Sequence, residues 1–397
     1  MKTLFLIADG MGDWPLDELG SKTVMQAART PNMDKLAADG LVGRAATIPP
    51  GMPPGSDIAN MALLGFDPAR LHTGRGPIEA AAQGLDLGPD DLVWRLNLVT
   101  VTDMTLEGRM LDYSAGHIPT GQAEALIKKL QENVDDETFS FVPGIQYRHL
   151  LLQPGGALAP EAALSIRPPH DITDQPIRPD LMTFSKSPHL WDLVFEAHEV
   201  LARPDNPAKA NAVWPWGQGR PLLLPDFKEE FGLVGAVISA VDLIKGLGRA
   251  AGMEVLEVEG ATGLLDTNYE GKVAAALDFL TRGDFVFLHV EAPDECGHAG
   301  DPAAKIEAIE RFDERVAAPL LAALDPKETA FLVACDHLTP IARRTHVDDP
   351  VPFLLAGPGV APSGVPEFSE KAAESSGLLV NPGHGLLAFA LKALGLR

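Results

Sequence analysis

The apolar positions of this chain fall into short runs separated by longer amphipathic stretches. "TLFLIA" (3–8) is continuously apolar, the pattern of a central parallel strand buried on both faces. "DFVFLHV" (284–290), "AFLVAC" (330–335) and "PFLLAG" (352–357) repeat it, and "MEVLEV" (253–258) reads as a further strand. Between them lie stretches with helical spacing. One runs from Thr23 to Asp39 and stops at Gly40; "SDIANMALLG" (56–65) is capped by Ser56 or Asp57. "VGAVISAVDLIKGLGRAAG" (234–252) and "GKVAAALDFLTRG" (271–283) are two more. Strands alternating with helices predict an α/β fold, a doubly wound and mostly parallel sheet covered on both faces.

The middle breaks this rhythm. "VWRLNLVTV", "YRHLLLQPGG" and "RPPHDITDQPIRP" are shorter, with denser Pro and Gly. The change predicts a smaller α+β domain at 85–225, inserted into a discontinuous domain formed by 1–84 and 226–397.

Charge narrows the partners. A net charge of −23 argues against nucleic acid, whose phosphates need a basic face. An anionic substrate then needs a local cluster of Arg, Lys or metal ions. The two cysteines, Cys296 and Cys335, imply no disulfide framework and a cytoplasmic setting. "MKTLFLIADGMGD" is too short in apolar residues for a signal peptide or a membrane span, and no run reaches the roughly 18 that a membrane helix requires. Oligomeric state is left open.

Metal-type side chains gather in four segments placed at the C-terminal ends of predicted strands. "IADGMGD" supplies Asp9, "EAPDECGHAGD" Asp294 and His298, "ACDHLTP" Asp336 and His337, and "RRTHVDDP" His346. In doubly wound folds ligands bind at that edge. Asp-x-x-x-His at 294 and 298 fits one ion, across a turn or on a helix face. Mixed carboxylate and imidazole ligands suit Mn²⁺, Zn²⁺, Co²⁺ or Fe²⁺ better than Ca²⁺. Two such ions about 4 Å apart make a clamp for phosphoryl transfer. Ser56, after the Pro/Gly-rich "PPGMPPG" and at a predicted helix start, is the candidate nucleophile, because free N–H groups there favour a phosphate.

Other polar residues read more plainly. Asp301 before Pro302 is a helix cap. Glu291 and Glu295 read either as polar loop residues or as support behind the ligands, His289 reads as a core histidine with its hydrogen bonds satisfied, and Cys296 and Cys335 as small buried hydrophobes. His384 in "NPGHGLL" is a further metal candidate, set behind His346.

Asp9 in "DGMGD", Ser56, "DECGH", "DH" and "TH", in that order, resemble the alkaline phosphatase superfamily, and more closely the archaeal-type branch of the cofactor-independent phosphoglycerate mutases. The similarity covers essentially the whole chain. "GAVISAVDLIKG", "EVEGATG", "TNYEGK" and "EAPDECGH" resemble a bacterial subgroup also proposed to act as homoserine kinase. The resemblance implies an alkaline-phosphatase-like fold and two divalent ions, Mn²⁺ first, with Zn²⁺ and Co²⁺ as alternatives. One ion would sit on Asp9, Ser56, Asp336 and His337, the other on Asp294, His298 and His346. It implies transfer of a phosphoryl group from 3-phosphoglycerate to Ser56 and back to the neighbouring hydroxyl, giving 2-phosphoglycerate. The same metals and serine would serve transfer to homoserine, or simple phosphatase action. The chain departs from the common bacterial form at "PGSDIAN", where Asn60 replaces a histidine. In "DYSAGHI" His117 stands where many archaeal relatives carry Arg. The inserted domain would hold the carboxylate and hydroxyls of a small phosphorylated substrate, and Arg75, Arg109, His117, Arg148 and Lys245 are the candidate anion partners.

Overall fold

The computed structural model describes residues 1–134 and 137–396. In chain order the strands are Lys2–Ala8 (β1), Leu41–Ala45 (β2), Leu92–Val101 (β3), Met110–Asp112 (β4), Ser140–Val142 (β5), Arg148–Gln153 (β6) and Ala212–Gly219 (β7). Then come Gly235–Ile238 (β8), Glu254–Val255 (β9), Phe285–Val290 (β10), Thr329–Ala334 (β11), Val351–Ala356 (β12) and Leu379–Val380 (β13). The chain divides into two compact units, Met1–His72 with Leu223 onward, and Thr73–Leu222.

The first unit is an α/β sheet in the order β13-β2-β12-β11-β1-β10-β8-β9. β1 is central and parallel to both β10 and β11. Every residue of β8, β10, β11 and β12 is buried, so helices and loops cover both faces. That is why these strands read as unbroken apolar runs.

Three segments differ from the sequence reading. The stretch 234–252 is not one helix: Gly235–Ile238 is β8, paired with β10, and the helix is Asp242–Ala250. Short apolar runs fit a buried strand or a buried helix equally, and here pairing with β10 decides. The helical text at 23–39 splits into Val24–Ala27 and Pro31–Asp39, because Pro31 has no N–H to continue a helix and starts one instead. Of "MEVLEV" only Glu254–Val255 pairs, at the sheet edge.

Strand direction decides where the candidate ligands go. Asp9 follows β1, Glu291 and Asp294 follow β10, and Asp336 follows β11, at the C-terminal edge of three adjacent parallel strands. β12 runs antiparallel to β11, with Phe353 opposite Ala334. His346 therefore reaches the same edge from before a strand, not after one as the sequence reading had it. β2 is antiparallel to β12, with Ala45 opposite Val351. Its C-terminal end thus feeds the Pro/Gly loop and Ser56 to that edge too.

The second unit is built on antiparallel strands in the order β4-β3-β6-β5, with β7 also paired to β3. The helix Arg75–Ala82 packs on β3. A Cβ on Gly76 would lie 2.7 Å from the Val93 carbonyl oxygen, so only glycine lets the helix come that close. Residues 73–84, placed with the first domain from sequence, thus belong to the second unit. Among the described residues no helix is long and apolar enough to cross a membrane.

Candidate metal centre

The site begins with Asp9, buried one residue beyond β1. Burial pushes its carboxyl well above the ordinary carboxylate range, and Asp336 and Asp294 beside it push the same way. Gly10 then turns with φ +58°; a Cβ there would lie 2.5 Å from Oδ1 of Asp294. Glycine is what lets the β1 loop and the β10 loop share this space.

Asp336 is fully buried. Its Oδ1 accepts from the backbone N–H groups of Gly10 at 3.1 Å and His337 at 2.9 Å, and its Oδ2 from the Asn60 amide at 2.8 Å. Nε2 of His337 lies 3.4 Å from Oδ2 of Asp336, 3.6 Å from Oδ1 of Asp9 and 3.0 Å from Oγ of Ser56. Burial pushes His337 down to about 4, so the ring is a neutral, ligand-type imidazole near pH 7.

Ser56 is the first residue of the helix Ser56–Leu63, and Gly55, not Ser56, holds the cap position. The expected capping role is absent, and the hydroxyl points instead to His337. Asn60, one turn on, donates to the Ser56 carbonyl oxygen at 2.9 Å as well as to Asp336. The sequence reading noted Asn60 only as a departure; here it ties the nucleophile's helix to the metal-type carboxylate.

The "DECGH" segment is a helix, Ala292–Ala299, and places Asp294 and His298 one turn apart. Nε2 of His298 lies 3.2 Å from Oδ2 of Asp294 and 2.9 Å from Nε2 of His346; Nε2 of His346 lies 3.4 Å from Oδ1 of Asp294. Nδ1 of His298 faces the Arg344 carbonyl oxygen at 3.0 Å, which fixes a proton there and leaves Nε2 turned toward Asp294 and His346. The hydrogen bond to Asp294 pulls His298 up to about 9. Asp301 caps the next helix, accepting from Ala304 N–H at 2.9 Å.

Donor atoms converge in two groups: Asp294, His337 and the half-buried His346, and the buried Asp9, His289 and Asp336. His337 touches both, since its ring also stacks on His346 at 3.9 Å. His289 was read as a core histidine with its hydrogen bonds satisfied; it is buried, but its Nε2 has no hydrogen-bond partner among the described residues. Oδ1 of Asp9 is likewise unpartnered. Buried carboxylates and imidazole nitrogens facing one another at about 3 Å, with orphaned acceptors among them, fit divalent cations. His384 stands apart, 3.7 Å from Oδ1 of Asp67. Buried Cys296, its thiol pushed up to about 11, and buried Cys335 are packing residues.

A family model described as the metalloenzyme superfamily matches residues 1–392. A 2,3-bisphosphoglycerate-independent phosphoglycerate mutase from Methanosarcina barkeri is 46% identical, over 99% of this chain and all of its own length. A probable one from Geobacter sulfurreducens is 44% identical, over 98% of this chain and 100% of its own. The chain belongs to the metalloenzyme superfamily and, within it, to the 2,3-bisphosphoglycerate-independent phosphoglycerate mutase family. Among solved structures, a protein from Pyrococcus horikoshii matches with a TM-score of 0.83 at 30% identity, over 100% of this chain and 98% of its own. A cofactor-independent phosphoglycerate mutase from Thermoplasma acidophilum matches with a TM-score of 0.65 at 26% identity, over the full length of both.

In this member of the mutase family the second unit carries a patch of cations and rings. Arg95, buried in the middle of β3, pairs with Glu79 at 2.9 Å and lies over the Trp216 ring at 4.5 Å. Burial holds its guanidinium below the ordinary value although Glu79 opposes this, and Arg75 and Arg148 add to the depression, so the three are electrostatic neighbours. His170 packs edge-on to Trp216 and Tyr113, His117 to Tyr113 and Tyr147, and Arg148 lies over Tyr147. Ala115, Gly116 and His117 all have positive φ, and the turn is held by Asp112 accepting from the Ser114 and Gly116 N–H groups at 2.7 Å. A strained backbone so held is a common feature of binding loops.

Of the sequence candidates, Arg75, His117 and Arg148 thus share this unit's patch, while Arg95 and His170 were missed. The signal for Arg95 was a lone guanidinium within the apolar "VWRLNLV". Arg109 does not join them: it donates to the Asp174 carbonyl oxygen in an exposed loop. Lys245 is ion-paired to Glu257 at 2.6 Å.

Proposed function

We propose that this protein interconverts 3-phosphoglycerate and 2-phosphoglycerate through a phosphoserine at Ser56. The observation that supports it most is Oγ of Ser56, at a helix N-terminus and 3.0 Å from Nε2 of His337, the same nitrogen that lies 3.4 Å from Asp336 and 3.6 Å from Asp9. Ions held by Asp9, Asp336 and His337 with Ser56, and by Asp294, His298 and His346, would supply positive charge to the serine oxygen and to the phosphoryl oxygens. Manganese is the first candidate, with zinc and cobalt as alternatives.

Ser56 Oγ forms the new bond to phosphorus as the bond to the C3 oxygen of the substrate breaks. The serine proton ends on that released oxygen. The N–H groups opening the helix Ser56–Leu63 hold the phosphoserine. The C2 hydroxyl then takes the phosphoryl group, and its proton returns to Ser56. In the second unit the Arg75, Arg95, Arg148, His117 and His170 patch offers the charge and forked donors that a carboxylate requires. A cytoplasmic, glycolytic role is part of this reading.

The test is ³¹P NMR on purified, Mn²⁺-loaded protein given 3-phosphoglycerate alone and, in parallel, ATP with homoserine. A 2-phosphoglycerate signal from the first supports the mutase. Silence there with phosphohomoserine in the second moves the acceptor while leaving Ser56 and the ions in place. Inorganic phosphate alone makes the protein a phosphatase.

A further inference from the structure

His289 is fully buried on β10, opposite Ile7 of β1. The surroundings of its two ring nitrogens differ sharply. Nδ1 lies 3.3 Å from Oε1 of Glu291 and 3.4 Å from Oγ of Ser239. Ser239 already donates its hydroxyl proton to the same Glu291 oxygen at 2.7 Å. Both neighbours of Nδ1 can therefore only accept, and Nδ1 carries the proton of the neutral ring. Glu291 is fixed in turn: Lys272 donates to Oε2 at 2.8 Å and the Ala240 N–H to Oε1 at 2.7 Å. Lys272, also fully buried, sets its ammonium against this carboxylate.

Nε2 is then a bare lone pair. It faces Oδ2 of Asp9 at 3.3 Å, and no donor among the described residues reaches it. Two buried acceptors this close repel unless a cation serves both. Asp336 completes a triangle, because one donor atom each of Asp9, His289 and Asp336 lie within 4.8 Å of one another. Neighbouring ligand atoms on one ion, with bonds of about 2.1 Å in a four- or five-coordinate shell, lie about 3.0–3.4 Å apart, close to the 3.3 Å between Nε2 and Oδ2 of Asp9.

We propose that Nε2 of His289 is a ligand of the divalent ion held by Asp9 and Asp336, and that the buried Lys272–Glu291 pair fixes the ring for it. This adds a ligand from inside a strand to a set otherwise drawn from loops and helix ends, and it rests on the two-ion reading above. Glu291 and Lys272 act through His289 and are positioning residues; such support for a ligating histidine is worth about 10–100-fold in metal affinity.

The test uses full-length protein stripped with EDTA and reloaded with Mn²⁺. Ions are counted by mass spectrometry and affinities measured by titration calorimetry. Wild type is expected to bind two ions. In His289→Ala one is expected to weaken at least tenfold while the other is unchanged, and Glu291→Gln is expected to weaken the same one. Metal-free thermal melts like wild type show that the variants fold. Should His289→Ala fail to fold, anomalous diffraction from Mn²⁺-loaded wild-type crystals decides, with about 2.2 Å expected between the ion and Nε2. Undiminished affinity in His289→Ala, or an ion more than about 3 Å from Nε2, overturns the His289 assignment and leaves the two-ion reading standing. A wild type that binds no ion overturns both.

Discussion

Nε2 of His337 lies 3.0 Å from Oγ of Ser56, across 281 positions of sequence. The contact joins the residue after β11 to the helix that β2 feeds. Ser56→Ala is expected to abolish transfer, on the order of a thousandfold or more, since it removes the nucleophilic oxygen at the helix N-terminus. Asp9, Asp336 and His337 remain, so metal content should stay largely intact. Turnover by ³¹P NMR and metal analysis on one sample check both; near-normal turnover would remove Ser56 as nucleophile.

Stripping the ions should destabilise the first unit. Asp9, Asp336 and Asp294 are buried close together, and without cations their charges repel. An ion supplied at a hundred times its dissociation constant adds about 2.7 kcal/mol. EDTA should therefore lower the melting temperature by several degrees, and Mn²⁺ should restore it. A melt indifferent to EDTA would contradict the site.

Arg95 and Arg109 should separate cleanly. Arg95→Lys keeps a charge for Glu79 but loses the planar fork, so KM should rise about tenfold with kcat less affected. The Arg109 guanidinium donates to a loop carbonyl, and Arg109→Ala should stay within about twofold of wild type. Equal losses in both would break the proposed anion patch.

Burial pushes His149, on β6, down to about 4, while Nδ1 accepts from the Gly144 N–H at 2.9 Å. The folded value lies below the unfolded one, near 6.5, so below that pH the unfolded chain binds more protons. Its stabilising share is complete above about pH 6.5 and disappears as pH falls toward 4, a change of about 3 kcal/mol. In denaturant titrations the advantage of wild type over His149→Asn should shrink by that amount from pH 7 to pH 4. A constant difference would refute it.

Lys305 and Asp13 form a fully buried pair at 2.9 Å, and Lys305 also donates to the carbonyl oxygens of Gly12 and Thr339. It binds the β1 loop to the β11 loop. Lys305→Met strands the Asp13 charge and should cost about 3–5 kcal/mol in equilibrium unfolding. Adding Asp13→Asn should recover part of that loss; no recovery would mean the pair matters only as packing.

The sequence by itself determined the apolar runs of β1, β10, β11 and β12, because a strand buried on both faces must be apolar throughout. It also marked Asp9, Asp294, His298, Asp336, His337 and His346, polar residues near the ends of such runs, and Ser56 at a helix start after a Pro/Gly-rich loop. What pairs with what was decided only in three dimensions. Gly235–Ile238 became a strand through β10, and His346 joined the others because β12 runs backwards. Lys305 meets Asp13 across 292 positions, Arg95 meets Trp216 across the β3–β7 pair, and His289 looks like any core residue until Glu291 and Ser239 occupy one side of its ring. Periodicity along a chain reports which faces are buried; a polar atom's partner depends on which distant segment the fold sets against it.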